Sequence, residues 1–324
     1  MDLAQQKDDA RSRFERFARE EAPGRSAVYA DWAEGVAGDD AILDILAQLD
    51  SPHRQPPLVF AVSRMLGAPV GPYDEWAAFA RAHADRLVAE CAARTTQTNE
   101  PQRSAPLLFA LERVRGPIAL LEIGASAGLC LVPDRYAYRF DGEGGTAELG
   151  DGPVLIEAEL RGEISAPKRM PEIVWRAGID IEPRDAADPD DRAWISGLVW
   201  PEEDARQERV DRALDVVAAD PPRIVRGDAS AGTVLADLAA EAPQDATLVI
   251  TTPGVLPHIP REARTRLIEA IRALPARWIT MDAPGLHDEW DPPVDAETWD
   301  GFVLAMDGRP VAAADPLGAW IADI

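Results

Sequence analysis

In the first third of the chain, apolar positions recur at helical spacing, and from residue 116 the pattern changes. Phe14, Phe17 and Ala18 fall on one helical face. Ser26 stands before a helix carrying Tyr29, Trp32 and Val36, and Asp39 before one carrying Ile42, Leu43, Ile45, Leu46 and Leu49. Each can accept from the free N–H groups of a first helical turn. Pro52, Pro56 and Pro57 then break the pattern. Residues 58–66 predict a short helix stopped by Gly67, and 74–94 one long amphipathic helix. His83 shares a face of that helix with Trp76, Phe79, Ala80 and Leu87, so it reads as a core or boundary histidine. Residues 95–103, T-T-Q-T-N-E-P-Q-R, form a polar break. Two readings stand: a capped linker, with Asn99 or Ser104 as cap and Pro101 in the first turn, or a ligand-facing loop around Gln97-Thr98-Asn99-Glu100.

From 116 onward, short apolar runs alternate with helical patterns, the signature of a doubly wound α/β domain. Strands are expected at 118–123, 154–160, 172–181, 223–226, 246–251 and 277–281. Helices are expected at 190–198, 203–219, 233–240 and 261–274. Residues 302–306 and 310–314 flank Asp307-Gly308, a two-residue hairpin signal. The expectation is therefore an α/β fold in two parts. An all-helical N-terminal cap spans 1–115. A seven-stranded, mostly parallel sheet with a C-terminal antiparallel hairpin spans 116–324.

The centre of the pattern is residues 118–128, I-A-L-L-E-I-G-A-S-A-G. The apolar run predicts a buried parallel strand. Gly124, Ala125, Ser126, Ala127 and Gly128 allow a tight turn and close approach of a ligand to the backbone. With Ser126 as N-cap of a following helix, free N–H groups would face an anionic ligand group. Three further strands close on polar residues: Gly178-Ile-Asp180, Gly227-Asp228-Ala229, and Thr251-Thr-Pro-Gly-Val-Leu-Pro-His258. All would lie at carboxyl ends of parallel strands, where open α/β sheets bind ligands.

These motifs resemble, in order, those of class I S-adenosylmethionine-dependent methyltransferases, over about residues 116–324. The resemblance implies a Rossmann-like domain binding S-adenosylmethionine through Glu122, Gly124, Ala125, Ser126, Gly128, Asp180, Asp228 and Ala229. Asp180 would hold the ribose, and Asp228 with Ala229 would lie near the adenine. His258, in the loop that faces the acceptor, is the candidate general base. Ser126 replaces the family's middle glycine, and the 54-residue gap between Gly124 and Gly178 implies an inserted strand or hairpin near 154–160. The amino-methyltransferase Asn/Asp-Pro-Pro-aromatic loop is replaced by Thr251-Thr252-Pro253-Gly254. The acceptor is then expected to be a small molecule. The whole chain also resembles an uncharacterised actinobacterial family that shares the helical prefix, the Gln-Thr-Asn-Glu stretch and the Gly-Ala-Ser-Ala-Gly turn. That second resemblance implies no activity.

Two other readings use the same residues. One is a methyltransferase-like protein that binds a small molecule without catalysis. The other is an α/β-hydrolase, because Gly124-Ala-Ser126-Ala-Gly128 is also G-x-S-x-G with Ser126 as nucleophile. Only helices are expected before this strand, whereas a hydrolase places several strands there. Dinucleotide oxidoreduction is disfavoured, since G-x-G-x-x-G spacing is absent.

Composition narrows the partners. A net charge of −24 over 324 residues repels phosphate backbones and anionic membranes, so neither nucleic acid nor membrane is expected as a partner. No apolar run approaches the roughly 20 residues of a membrane span, and 1–21 lacks a signal-peptide core. A cytoplasmic location is expected. Cys91 and Cys130 are isolated and the four histidines are scattered, so no metal site is expected. Oligomeric state is not legible.

Overall fold

The structure, a computed structural model, describes residues 3–97, 99–287 and 290–324. Thr98, in the polar break, and Asp288 and Glu289 lie outside the described residues. The chain divides into two units, one of residues 1–98 with Pro189–Glu208, the other of residues 99–188 with 209–324. These boundaries differ from a division at residue 115.

The first unit is helical: α1 (Leu3–Arg16), α2 (Ala27–Gly38), α3 (Asp40–Leu46), α4 (Pro56–Met65), α5 (Tyr73–Ala82) and α6 (Ala84–Ala92). Ser26 caps α2 by accepting from the Tyr29 N–H, and Asp39 caps α3 by accepting from Ala41 and Ile42. Apolar faces meet in an aromatic core. Trp32 stacks on Trp76 with centroids 5.5 Å apart, and Phe60 stands edge-on to both. The long helix expected over 74–94 is broken at His83. There the backbone leaves helical angles, and the ring stacks on Phe79 with Nδ1 2.9 Å from the Phe79 carbonyl. His83 is exposed rather than part of the core.

After α7 (Ser104–Leu111) the second unit opens on β1 (Ile118–Ile123), buried along its length. Then come β2 (Ala137–Gly142), β3 (Gly145–Leu149), β4 (Leu155–Arg161), β5 (Ile173–Asp180), α8 (Pro189–Gly197, in the helical unit), α9 (Asp204–Ala219, in the sheet unit from Arg209 on) and β6 (Arg223–Arg226). α10 (Val234–Ala239), β7 (Thr247–Pro253), α11 (Arg261–Arg272), β8 (Arg277–Asp282), β9 (Phe302–Met306), β10 (Arg309–Ala314) and β11 (Trp320–Ala322) complete it.

Among the described residues these strands form one mixed, mostly parallel sheet of eleven, in the order β3-β2-β4-β11-β10-β9-β8-β7-β1-β5-β6. β1 lies between β5 and β7 and is parallel to both. The expected seven strands are too few. The inserted segment supplies the β2–β3 hairpin and β4, and β11 joins β4 to β10. The β9–β10 hairpin forms, with Asp307 and Gly308 both at positive φ as its tight turn requires. Ala119, Leu121 and Ile123 point to a core shared with Leu235 and Leu238 of α10 and Leu267 and Ile271 of α11. Glu122 alternates to the other face, because strand side chains have a period of two. No helix among the described residues is long and apolar enough to cross a membrane.

Candidate functional site

The loop after β1 does not lead into an α-helix. Leu129–Leu131 and Pro133–Arg135 are single tight turns, and β2 follows. The reason is local. Pro133 has no N–H, and within a helix its ring would collide with the carbonyl four residues earlier. Other contacts hold the carbonyls a helix would have used. Tyr136 donates to the Leu129 carbonyl, Tyr138 to that of Pro133, and Arg176 on β5 grips Asp134 with both terminal nitrogens. Ser126 is therefore not an N-cap, and no helix N-terminus backs residues 124–128.

The loop is held instead by β5. Ser126 has φ +47, in the left-handed region that non-glycine residues seldom enter. Its N–H donates to Asp180 Oδ2 at 2.8 Å, and Asp180 Oδ1 accepts from the Glu182 N–H at 2.7 Å. Gly124 donates to the Ile179 carbonyl at 2.8 Å. The glycines are packing positions as well. A Cβ on Gly124 would lie 2.5 Å from Val255, and one on Gly178 would lie 2.4 Å from Ala125. Gly128 takes φ +80 to make the turn.

Onto this loop folds the polar break. Asn99 Oδ1 accepts from the Ala127 N–H. Glu100 caps the turn at Pro101–Arg103 through the Gln102 N–H and receives Arg209 Nε at 3.3 Å, while its carbonyl takes the Cys130 thiol. Of the two sequence readings, neither Asn99 nor Ser104 is the cap; Glu100 is. Arg103 runs inward. Its Nε donates to the Pro316 carbonyl and one terminal nitrogen to the Pro253 carbonyl, both at 2.9 Å. Gly254, at φ +73, leaves it room, since a Cβ there would lie 2.9 Å from the guanidinium carbon.

Three acids reach this edge from neighbouring strands. Glu122, in register with Gly178 and Thr251, is 3% exposed, and its Oε2 has no hydrogen-bond partner. Burial pushes its carboxyl well above the carboxylate range; Arg103 opposes this and Asp180 adds to it. Asp282, at the end of β8, is fully buried. Burial pushes it up to about 8, against the Thr280 hydrogen bond and the Arg103 charge. Its Oδ2 accepts from Thr280 at 2.7 Å and its Oδ1 has no partner. Asp180 is the third, engaged as described.

The sequence-derived residues do not all share one place. Glu122, Gly124, Ala125, Ser126, Gly128 and Asp180 come together at the ends of β1 and β5. Asp228 is exposed, closes a turn on Ser230, and lines a separate shallow groove with Arg226, Thr233 and Asp237. Ala229 packs against the core shared with α10 and α11. His258 follows β7 on the exposed side of its loop. Partial burial of the ring and the nearby Arg103 charge lower its pKa.

Residues 11–322 match the family described as uncharacterized protein conserved in bacteria (DUF2332). The chain belongs to that family. The match covers both units and attaches no activity to the DUF2332 chain. No curated protein matches it.

Sequence reading missed Arg103 and Asp282 as members of the edge. Arg103 stood in a segment already conspicuous for polarity, directly before an apolar helix, and that was the available signal. Asp282 resembled any acid closing a strand. After β8, His287 Nε2 comes 3.4 Å from Thr280 Oγ1, the residue that donates to Asp282, and the His287 ring lies between Trp278 and Trp290. Among the described residues no group of three His, Cys, Asp or Glu side chains is arranged to hold a metal ion.

Proposed function

We propose that the sheet unit is a Rossmann-like, methyltransferase-type domain that binds a small molecule at the carboxyl ends of β1, β5 and β7. The observation that carries this reading is strand order. β6-β5-β1-β7-β8 run parallel and the order reverses at β1, the switch point where open α/β sheets take ligands. Glu122, Ser126 and Asp180 lie at that point.

S-adenosylmethionine is the first ligand to test, and its fit is partial. Asp180 stands where the ribose carboxylate is expected. An ionised carboxylate has about four acceptor sites, and the Ser126 and Glu182 amides use two of them. The helix N-terminus expected behind residues 124–128 is missing, and Asp228 opens onto its own groove. These departures favour small-molecule binding without methyl transfer over the catalytic form. A serine hydrolase finds less support, because Ser126 Oγ is buried with no hydrogen-bond partner, so no base touches it.

Calorimetric titration of the full chain with S-adenosylmethionine and S-adenosylhomocysteine is the test. Saturable binding below ~1 mM, about −4 kcal/mol, weakened by Asp180→Asn, supports the cofactor. No heat from either ligand at that concentration removes S-adenosylmethionine as the ligand.

A further inference from the structure

Arg103 is a buried cation without a counter-ion. It is 8% exposed, and among the described residues it forms no ion pair. Its bonds to the Pro253 and Pro316 carbonyls use two of five N–H donors. The acids within electrostatic reach, Glu122 and Asp282, are held toward their neutral forms by burial, and Glu100 already receives Arg209 and the Gln102 amide. Leaving a buried charge unpaired is costly, so a group that completes it is expected.

Independent atoms point the same way. Asn99 is 8% exposed; its Oδ1 is taken by Ala127 and its Nδ2 has no partner. Ser126 Oγ, one residue from Ala127, is buried and without a partner. Glu122 Oε2 is the third such atom, and in its neutral form that carboxyl also carries a donor. Buried polar groups are almost always hydrogen-bonded, so three unsatisfied ones on and around the β1 loop, with Glu122 within electrostatic reach of the unpaired arginine, mark the place of a partner. The groups on offer are donors, which suits an acceptor-only ligand group.

Resting on the reading of this edge as a binding site, we infer that Arg103, with Asn99 and Ser126, binds a carboxylate of the small-molecule ligand. A monoanion fits better than phosphate. One cation has to be balanced, and Glu100, Glu122 and Asp282 already lie within electrostatic reach of it. Asn99 and Arg103 come from the polar segment before α7, so that segment is part of the site and not only a linker.

The test is calorimetry and thermal denaturation of the full chain with benzoate, 2-oxobutyrate and L-methionine, each against its primary amide, and with inorganic phosphate. At least one carboxylate should bind about tenfold more tightly than its amide. Arg103→Gln should bring the pair to parity. Asn99→Ala and Ser126→Ala should weaken the carboxylate several-fold with the melting midpoint kept, and they carry the test if Arg103→Gln does not fold. Three results overturn the inference: no carboxylate outbinds its amide, phosphate outbinds every carboxylate, or the preference survives in folded Arg103→Gln. Carboxylate binding without S-adenosylmethionine binding keeps the inference and discards that cofactor. S-adenosylmethionine binding untouched by Arg103→Gln does the reverse.

Discussion

The Trp32–Trp76 stack of the helical unit and the polar edge of the sheet unit bury polar atoms in opposite ways. In the helical core each tryptophan of the Trp32–Trp76 stack has its indole N–H satisfied, Trp32 by the Gly71 carbonyl at 2.7 Å and Trp76 by Ser63 Oγ at 2.8 Å. Ser63 in turn donates to the Phe60 carbonyl. At the sheet edge, Glu122, Asn99, Ser126 and Asp282 each keep one buried atom without a partner. The first arrangement stabilises. The second leaves buried groups unpaired, a cost that the proposed ligand would relieve.

Removing Trp32 should have the largest effect. Trp32→Ala empties the middle of a stack that Phe60 and Tyr29 also touch, and the expected loss is about 3–5 kcal/mol in denaturant unfolding. A loss below ~1 kcal/mol would show that this core is not what holds the helical unit.

The sheet edge should reveal itself through pH. Asp282 is pushed from the ordinary 3.8 up to about 8 in the folded chain. Between those values the folded state keeps a proton that the unfolded state releases, so the part of the stability that Asp282 supplies falls as pH rises. The slope is up to about 1.4 kcal/mol per pH unit. The contribution is whole below about pH 4 and gone above about pH 8. Asp282→Asn should flatten this slope. A slope unchanged by Asp282→Asn would contradict a neutral Asp282.

Packing of the loop gives a smaller effect. Gly178→Ala puts a methyl 2.4 Å from the Ala125 Cβ and should cost about 1–3 kcal/mol. Adding Ala125→Gly should recover part of it, because the two sites touch. The smallest change is of opposite sign. Gly38, at the end of α2, has nothing within 4 Å of where a Cβ would stand. Gly38→Ala should raise the thermal midpoint slightly, by up to ~1 kcal/mol of stability.

Legibility in the sequence follows the range of the interactions. β6, β8 and β9 stood out because their apolar runs are closed by turn residues a few positions away, and Ser26 and Asp39 were legible as caps because a cap bonds two or three residues on. The helix expected after Gly128 failed on a signal that was present, Pro133, and on one that was not, the grip of Arg176 on Asp134 from 42 residues downstream. β11 is three residues long, too short for any period to register. At the edge, Glu122 and Asp180 could be read from strand position. Arg103 could not, since its burial depends on carbonyls at Pro253 and Pro316, far along the chain.

That short strand has a consequence for the order of assembly. β4 pairs with β2, yet its other neighbour is β11, with Trp320 in register with Glu159. As the chain leaves the ribosome, β4 must wait for a partner made roughly 160 residues later, and such distant pairings form slowly. During that interval the Leu155–Arg161 edge is open to strands of other chains. Of its four outward residues only Leu155 is apolar; Glu157, Glu159 and Arg161 put charges on the exposed face beside that edge, a guard for the nascent chain.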